Sequence, residues 1–173
     1  ADIQRQGWSI ECRINAEDPY RQFLPSTGRL IRFQPPKTTM FQSDTQQLWG
    51  VRVDTGVQEG GEISMHYDSM IAKLIVHGRD RNDAIQKMRD ALNAFVIRGI
   101  SSNIPFQSAL LAHPQFVSGQ FNTGFIAEHF SKGFHAEDVQ HADHDFLLAL
   151  AAFVRRKSRE RAATLSGQLP GYD

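Results

Sequence analysis

Met70-Ile71-Ala72-Lys73-Leu74-Ile75-Val76 is the stretch that decides the fold of this chain of 173 residues. It holds one charged residue among six apolar ones, and the turn-forming residues Gly78-Arg79-Asp80 follow it. A short apolar run bounded by turn signals is typical of a strand that is covered on both faces. The sequence therefore predicts a strand near the middle of a sheet.

Further strands are predicted on the N-terminal side of this stretch. In residues 8–14 apolar and polar side chains alternate, which is the pattern of a strand buried on one face. Val51-Arg52-Val53 forms a short strand between two glycines, and Leu30 to Phe33 is another candidate. Residues 34–50 contain two prolines and many Thr and Gln residues without a usable period, so we expect an irregular surface loop there.

The second half of the chain is predicted to be helical. Apolar residues recur at helical spacing in residues 84–95, with Asp80 or Asn82 as the N-cap and Gly99 as the stop. Shorter helices are expected in residues 103–111 and 123–130, and a new amphipathic helix in residues 146–161.

Together these elements predict an α+β domain, in which an antiparallel sheet packs with two to three helices. The polar residues 135–145 are typical of a linker. We therefore expect this domain to occupy residues 1–135, and residues 136–173 to form a linker and the helical start of a further region that is incomplete. The chain opens without a methionine, and we expect it to be a piece of a longer polypeptide.

Composition excludes several classes of protein. Because 19 Lys and Arg balance 19 Asp and Glu, there is no electrostatic basis for binding nucleic acid or an anionic membrane. No apolar run approaches the roughly 20 residues of a membrane span, and a single cysteine excludes an intrachain disulfide. The glycine-rich nucleotide loops Gly-x-x-x-x-Gly-Lys and Gly-x-Gly-x-x-Gly are absent, so a self-contained nucleotide-using enzyme is not expected.

Arg52 is the first candidate for chemistry. A guanidinium is always charged, and its planar fork of donors matches the oxygens of bicarbonate, carboxylate or phosphate. At the rim of a sheet it could hold such an anion or stabilise an oxyanion that forms in a reaction. An arginine on the solvent face of a strand gives the same Val-Arg-Val alternation, so the residues alone leave both interpretations open.

Two other polar clusters are weaker candidates. Tyr67 and Asp68 precede the predicted central strand, where they could orient an acid or a base or simply form a turn. His135, His141 and His144 lie among acidic residues and supply metal-ligand types, but nothing apolar surrounds them to exclude water. A solvated linker is the simpler interpretation, and we expect no metal site.

Six sequence motifs follow one another along residues 7–130. They are Glu11-Cys12-Arg13-Ile14-Asn15-Ala16-Glu17-Asp18-Pro19, Phe23-Leu24-Pro25-Ser26-Thr27-Gly28, Gly50-Val51-Arg52-Val53-Asp54-Thr55-Gly56, Tyr67-Asp68-Ser69-Met70-Ile71-Ala72-Lys73-Leu74-Ile75, Arg98-Gly99-Ile100-Ser101-Ser102-Asn103-Ile104 and Asn122-Thr123-Gly124-Phe125-Ile126. In this order the motifs resemble the biotin carboxylase C-terminal domain of biotin-dependent acyl-CoA carboxylases. Among these carboxylases, the residues within the motifs resemble most the α subunits of propionyl-CoA carboxylases. Methylcrotonyl-CoA carboxylase α subunits are an alternative.

This resemblance implies a parent ligase that uses ATP, Mg and bicarbonate to carboxylate biotin. It implies that Arg52 holds bicarbonate and stabilises the biotin enolate, that Tyr67 and Asp68 support it, and that Thr123 and Phe125 lie on the nucleotide side. The family's ATP-grasp region and its biotinyl lysine lie outside the matched segment. We therefore expect the isolated chain to be inactive and to bind none of biotin, ATP and Mg tightly.

The partners that the resemblance implies are the ATP-grasp portion of the same polypeptide, a biotin carrier domain and a carboxyltransferase β subunit. Residues from about 136 onward would begin the segment that contacts the β subunit. The implied location is the bacterial cytoplasm or the mitochondrial matrix. A stand-alone, non-enzymatic interaction module of the same fold is the competing hypothesis from another class.

Overall fold

The computed structural model describes residues 6–42, 47–64, 68–139 and 144–164. The chain divides into two units, Ala1–Val139 and Gln140–Asp173, and each is described by itself. The strands within the described ranges are β1 Trp8–Asn15, β2 Glu17–Asp18, β3 Leu24–Pro25, β4 Gly28–Arg29, β5 Arg32–Gln34, β6 Thr39–Gln42, β7 Gln47–Thr55, β8 Glu62–Ile63, β9 Met70–Gly78 and β10 Val96–Arg98. The α-helices are α1 Arg81–Asn93, α2 Ile104–Ala112, α3 Pro114–Ser118, α4 Phe125–His129 and α5 His144–Thr164, and Pro19–Arg21 and Ala136–Asp138 form single 3₁₀ turns.

β9 is an inner strand of a four-stranded antiparallel sheet with the order β1-β9-β7-β6. It pairs along its whole length with β1, and on its other side with the second half of β7. Leu74 and Val76 of β9 are fully buried, because they point to the face that the helices cover. The predicted mid-sheet strand is confirmed, and so is the α+β class.

α1 packs against the buried face of β9. Asp80 is its N-cap, since the Asp80 carboxylate accepts a hydrogen bond of 2.9 Å from the backbone N–H of Asp83. The predicted apolar stripe lies in the core, with Met88 and Leu92 at its centre. The chain enters the helix through Gly78, where a Cβ atom would lie 2.4 Å from the backbone nitrogen of Ala84, so a larger residue does not fit.

The prediction of an irregular loop over residues 34–50 is wrong. Thr39–Gln42 form β6, which pairs with β7, and β7 begins at Gln47 rather than at Val51. The residues here show no usable period, and the pairing of β6 with β7 has an irregular register between Thr39 and Met40. The edge of the sheet supplies the hydrogen-bonding partner that outweighs this weak local pattern.

The prediction that the first helix stops at Gly99 is also wrong. The helix ends at Asn93, and Val96–Arg98 form β10, which pairs with β5. Val96 and Ile97 are β-branched and favour extended backbone, and that preference decides the boundary. Gly99 keeps a positive φ of 99°, but it follows a strand instead of a helix.

α2 and its neighbours form a second, smaller core of the first unit. Its buried members are Phe106, Ala109 and Phe134. Asn103, just before α2, ties this region to the sheet, because its side-chain oxygen accepts from the backbone N–H of Asn15 at 3.0 Å. Its amide nitrogen donates to the carbonyl of Arg13 at 3.1 Å. The predicted helices after Asn103 and after Thr123 are confirmed as α2 and α4.

The second unit contains α5, which confirms the predicted helix. Residues 146–154 of α5 are apolar without interruption, and Phe146, Leu148 and Phe153 are exposed. No helix within the described ranges is long and apolar enough to cross a membrane.

Candidate functional site

The register of the sheet gathers charged side chains on the face that the helices leave uncovered, which we call the outer face. Arg52 of β7 lies opposite Ile75 of β9, and Asp54 lies opposite Lys73. On the other side of β9, Arg13 of β1 lies opposite the same Lys73. Because paired residues in a sheet project to the same side, these charges share one surface.

Arg52 forms a bidentate salt bridge with Asp54, two residues further along β7. The Arg52 Nε atom donates to Asp54 Oδ1 and the Nη2 atom donates to Asp54 Oδ2, each at 2.9 Å. About half of each side chain is exposed, 51% for Arg52 and 44% for Asp54. The hydrogen bond from the guanidinium to Asp54 and the charge of that carboxylate raise the pKa of Arg52, so its positive charge is permanent.

A similar but looser pair lies on β1 at the other side of β9. Arg13 Nε is 3.7 Å from Glu11 Oε1, which is an ion pair without hydrogen-bond geometry. Arg13 is the more exposed arginine of the two, at 67%. The outer face therefore carries one bidentate and one looser arginine–carboxylate pair, each between residues two apart on a strand.

A cleft of about 260 Å³ lies beside Asp54, between the ends of β7 and β9. Thr55 links the two strands there, since its hydroxyl donates a hydrogen bond of 2.8 Å to the carbonyl of Ile71. The lining also includes Gly56, Met70 and Lys73. Asp54, the partner of Arg52, lines this cleft. An exposed guanidinium can bind a small anion, and a fixed donor pair can stabilise negative charge that develops on an oxygen.

Asp68 lies two residues before the central strand β9. Its carboxylate accepts a hydrogen bond of 3.1 Å from the backbone N–H of Met70, which is the turn role that the sequence left open. Tyr67, the other predicted supporting residue, and His66 lie outside the described residues. The supporting role of Tyr67 and Asp68 stays a prediction.

Thr123 and Phe125 lie around the start of α4. Thr123 is exposed, whereas Phe125 is 4% exposed and its ring lies 4.9 Å from that of His113 and 4.6 Å from that of His129. Phe125 thus anchors α4 in this structure. The nucleotide-side assignment of both residues stays a prediction.

Within the described ranges, no three His, Cys, Asp or Glu residues come together as a metal site. Of the three histidines in the linker region, His135 is exposed, and its backbone N–H donates to the Asp138 carboxylate at 2.8 Å. His141 lies outside the described residues, and His144 begins α5. Cys12 lies on the buried side of β1, where burial and the neighbouring Glu11 charge raise the pKa of its thiol to about 12. A thiol with so high a pKa is a poor nucleophile.

Asp54 is the site residue that sequence reasoning missed. The signal was available, because residues two apart on a strand share a face, and Arg52 and Asp54 stand in that relation. Lys73 was noted only as a charge inside an apolar run. Lys73 lies opposite Asp54 because of the register between β7 and β9, and the sequence does not specify that register.

The family of the chain follows from comparison with known proteins. Residues 11–128 match the model of the biotin carboxylase C-terminal domain. This segment includes both arginine–carboxylate pairs and all of the sheet except the first residues of β1. The chain belongs to the family of biotin carboxylase C-terminal domains.

Two relatives show which carboxylases within this family the chain is similar to. The chain is 44% identical over 182 residues to the propionyl-CoA carboxylase alpha chain of Ruegeria pomeroyi, covering 99% of this chain and 27% of that protein. It is 42% identical to the mitochondrial propionyl-CoA carboxylase alpha chain of Homo sapiens, covering 98% of this chain and 22% of that protein. The chain therefore spans about a quarter of the length of these relatives.

A solved structure supports the fold. The biotin carboxylase domain dimer of Hydrogenobacter thermophilus 2-oxoglutarate carboxylase, in complex with MgADP, ADP and bicarbonate, superposes with a TM-score of 0.67 at 35% identity. The match covers 82% of this chain and 28% of that chain.

Proposed function

We propose that the chain is the C-terminal part of the biotin carboxylase component of an acyl-CoA carboxylase, of the propionyl-CoA carboxylase type. In this role Arg52 holds bicarbonate and stabilises the negative charge that develops on the ring-carbonyl oxygen of biotin. The observation that carries the proposal is the exposed, bidentate Arg52–Asp54 pair beside an open cleft, in a domain whose solved relative is described with bicarbonate bound.

The chemistry of a guanidinium supports this role. Bicarbonate is planar and presents two oxygens that accept parallel hydrogen bonds from a guanidinium edge. A fixed donor is most effective when it is oriented before the charge develops, because it then needs no reorganisation during the reaction. The salt bridge with Asp54 supplies that orientation.

ATP, Mg and biotin belong to the proposed reaction but are assigned to other parts of the longer polypeptide. The described residues of this chain hold no cluster of metal ligands, and the sequence has no phosphate-binding loop. When present, the nucleotide would activate bicarbonate in an ATP-grasp portion. This chain would contribute Arg52, with Tyr67 and Asp68 in support and Thr123 and Phe125 near the nucleotide.

Partners are proposed on the same basis. We assign residues 1–135 to the biotin carboxylase C-terminal domain and residues 136–173 to the linker and the start of the region that contacts the carboxyltransferase β subunit. The apolar surface of α5 supports this assignment, because a helix that is apolar on most sides is normally covered by protein. The biotin carrier domain would deliver biotin to the outer face.

The competing proposal is a stand-alone interaction module of the same fold, and an exchange experiment separates the two. The chain replaces the matching segment of the R. pomeroyi propionyl-CoA carboxylase alpha chain, and bicarbonate-dependent ATP cleavage is measured with free biotin. We expect the isolated chain to show no turnover and the chimaera to be active. Turnover by the isolated chain, or a soluble chimaera that binds ATP but does not carboxylate biotin, would contradict the proposed function.

A further inference from the structure

We propose that Asp54 is a specificity-determining and positioning residue, which orients the Arg52 guanidinium and biases it toward a small anion with a single negative charge over one with two. The inference rests on the proposed function, in which Arg52 binds bicarbonate. It gives a role to Asp54, which belongs to the same motif as Arg52 but received no role from the sequence. The argument has a geometric part and an electrostatic part.

The geometric part concerns the edges of the guanidinium. Asp54 accepts from Nε and Nη2 and so occupies the side edge of Arg52. The terminal edge, between Nη1 and Nη2, is the one that Asp54 leaves to a ligand. Two parallel N–H groups at that edge match the two oxygens of a planar anion of bicarbonate shape.

The same contact fixes the direction of the terminal edge. Arg52 has a long side chain that loses considerable rotamer freedom when a ligand holds it. Because Asp54 lies on the same strand and the same face, it holds the guanidinium before the ligand arrives and without any movement of the backbone. A ligand then binds to an already ordered donor pair, which reduces the entropic cost of binding.

The electrostatic part concerns the charge of the ligand. The Arg52–Asp54 pair has no net charge, so a bound anion is attracted by the guanidinium and repelled by the nearby carboxylate. A carboxylate about 6 Å from a bound anion of one unit charge lowers the affinity for that anion by roughly threefold in water. Repulsion by Asp54 therefore lowers the affinity of Arg52 for a dianion by about threefold more than its affinity for a monoanion. The pair thus selects against phosphate-like ligands.

The β1 pair provides the matched control. Glu11 is a carboxylate on the same outer face, and it lies two strands away from Arg52, on the far side of Ile75. Two strand spacings amount to roughly 10 Å, a distance at which charges on the surface are largely screened. Removing the Glu11 charge therefore leaves the ligand preference of Arg52 nearly unchanged.

The experiment measures anion binding to the chain of 173 residues by NMR. Bicarbonate serves as the monoanion and sulfate as the dianion, and each is titrated against the ¹³Cζ resonance of Arg52, which is identified by its absence in Arg52→Lys. The ratio of sulfate to bicarbonate affinity is compared among the unsubstituted chain, Asp54→Asn, Asp54→Glu and Glu11→Gln. The ratio is informative because a general loss of structure would weaken both anions alike.

We expect Asp54→Asn to raise the ratio by about threefold. Asp54→Glu retains the negative charge, so its ratio should stay close to that of the unsubstituted chain. Glu11→Gln should leave the ratio unchanged. A ratio that is the same in Asp54→Asn and in the unsubstituted chain would overturn the inference. Failure of the proposed function has a different signature, because the chimaera would then lack activity whatever the ratio in the isolated chain.

Discussion

The two faces of the four-stranded sheet differ in chemistry: one is apolar and buried, and the other carries charged side chains. On the inner face, Leu74 and Val76 are fully buried under α1 and make no polar contact with their side chains. On the outer face the same strands present Arg52, Asp54 and Lys73. One strand, β9, supplies residues to both faces, with buried and partly exposed residues alternating from Ala72 to Gly78.

This difference separates stability from function. Burial of apolar side chains stabilises the domain, whereas half-exposed ion pairs contribute little to stability. Substitutions on the inner face should therefore destabilise the domain, and substitutions on the outer face should change ligand binding with the fold retained. The predictions below test that separation, from the largest expected effect to the smallest.

Alkylation of Cys12 should show the largest effect, because its side chain points to the inner side of β1. With the pKa of Cys12 raised to about 12, the thiolate fraction at pH 8 is about a thousandfold lower than for a free cysteine. We expect iodoacetamide to react with the native chain about a thousandfold more slowly than with the chain in urea. Equal rates would show that this side of β1 is open to solvent.

Leu74→Ala should destabilise the first unit by about 2–5 kcal/mol, since it removes a fully buried side chain from the inner face. Ile75→Ala, one residue further along the same strand, serves as the control from the outer face and should cost clearly less. Urea denaturation followed by circular dichroism measures both. Equal costs would mean that the two faces do not differ in packing as described.

Gly78→Ala should cost about 1–3 kcal/mol, because the added Cβ would meet the backbone of α1 at Ala84. Gly56→Ala adds the same atom at a position with no neighbour within 4 Å. The difference between the two midpoints in urea gives the effect of the close approach between β9 and α1. A Gly78→Ala chain as stable as Gly56→Ala would refute the requirement for glycine there.

Asp83→Asn should have the smallest effect, and that effect should depend on pH. The hydrogen bond from the backbone N–H of Arg79, together with the Lys87 ammonium, lowers the pKa of Asp83 to about 2. A carboxylate with a lowered pKa in the folded state stabilises the fold above its usual pKa, and this contribution is lost as the pH falls toward 2. The stability difference from Asp83→Asn should persist at pH 6 and vanish near pH 2, and a difference independent of pH would contradict this.

Strong local patterns made part of the fold predictable. The alternation in β1, the apolar run of β9 and the N-cap of α1 each specify structure through neighbouring residues. Both strands were predicted correctly, and Asp80 is one of the two N-caps that the sequence offered. β10 was missed because its partner β5 lies far away in the sequence, and β6 was missed because its short segment shows no usable period although its partner β7 follows it closely. Their stability comes from pairing across the sheet, which local propensity does not encode.

The candidate site was predictable to the same degree. Arg52 was singled out by its residue type and its place on a short strand, and only the family resemblance favoured a functional role over a solvated one; that role stays a prediction. Its salt bridge with Asp54 follows from strand periodicity, but the choice of that rotamer among several depends on the packed structure. The juxtaposition with Lys73 and Arg13 required the register of three strands.

The most direct test of the central claim compares the two arginines of the outer face in the active chimaera. Arg52→Ala and Arg13→Ala each remove one exposed guanidinium from the same face of the same sheet. We predict that Arg52→Ala lowers the rate of bicarbonate-dependent biotin carboxylation by about a hundredfold or more, with ATP binding retained, and that Arg13→Ala keeps most of the activity. An Arg52→Ala chimaera that carboxylates biotin at the rate of Arg13→Ala would contradict the claim.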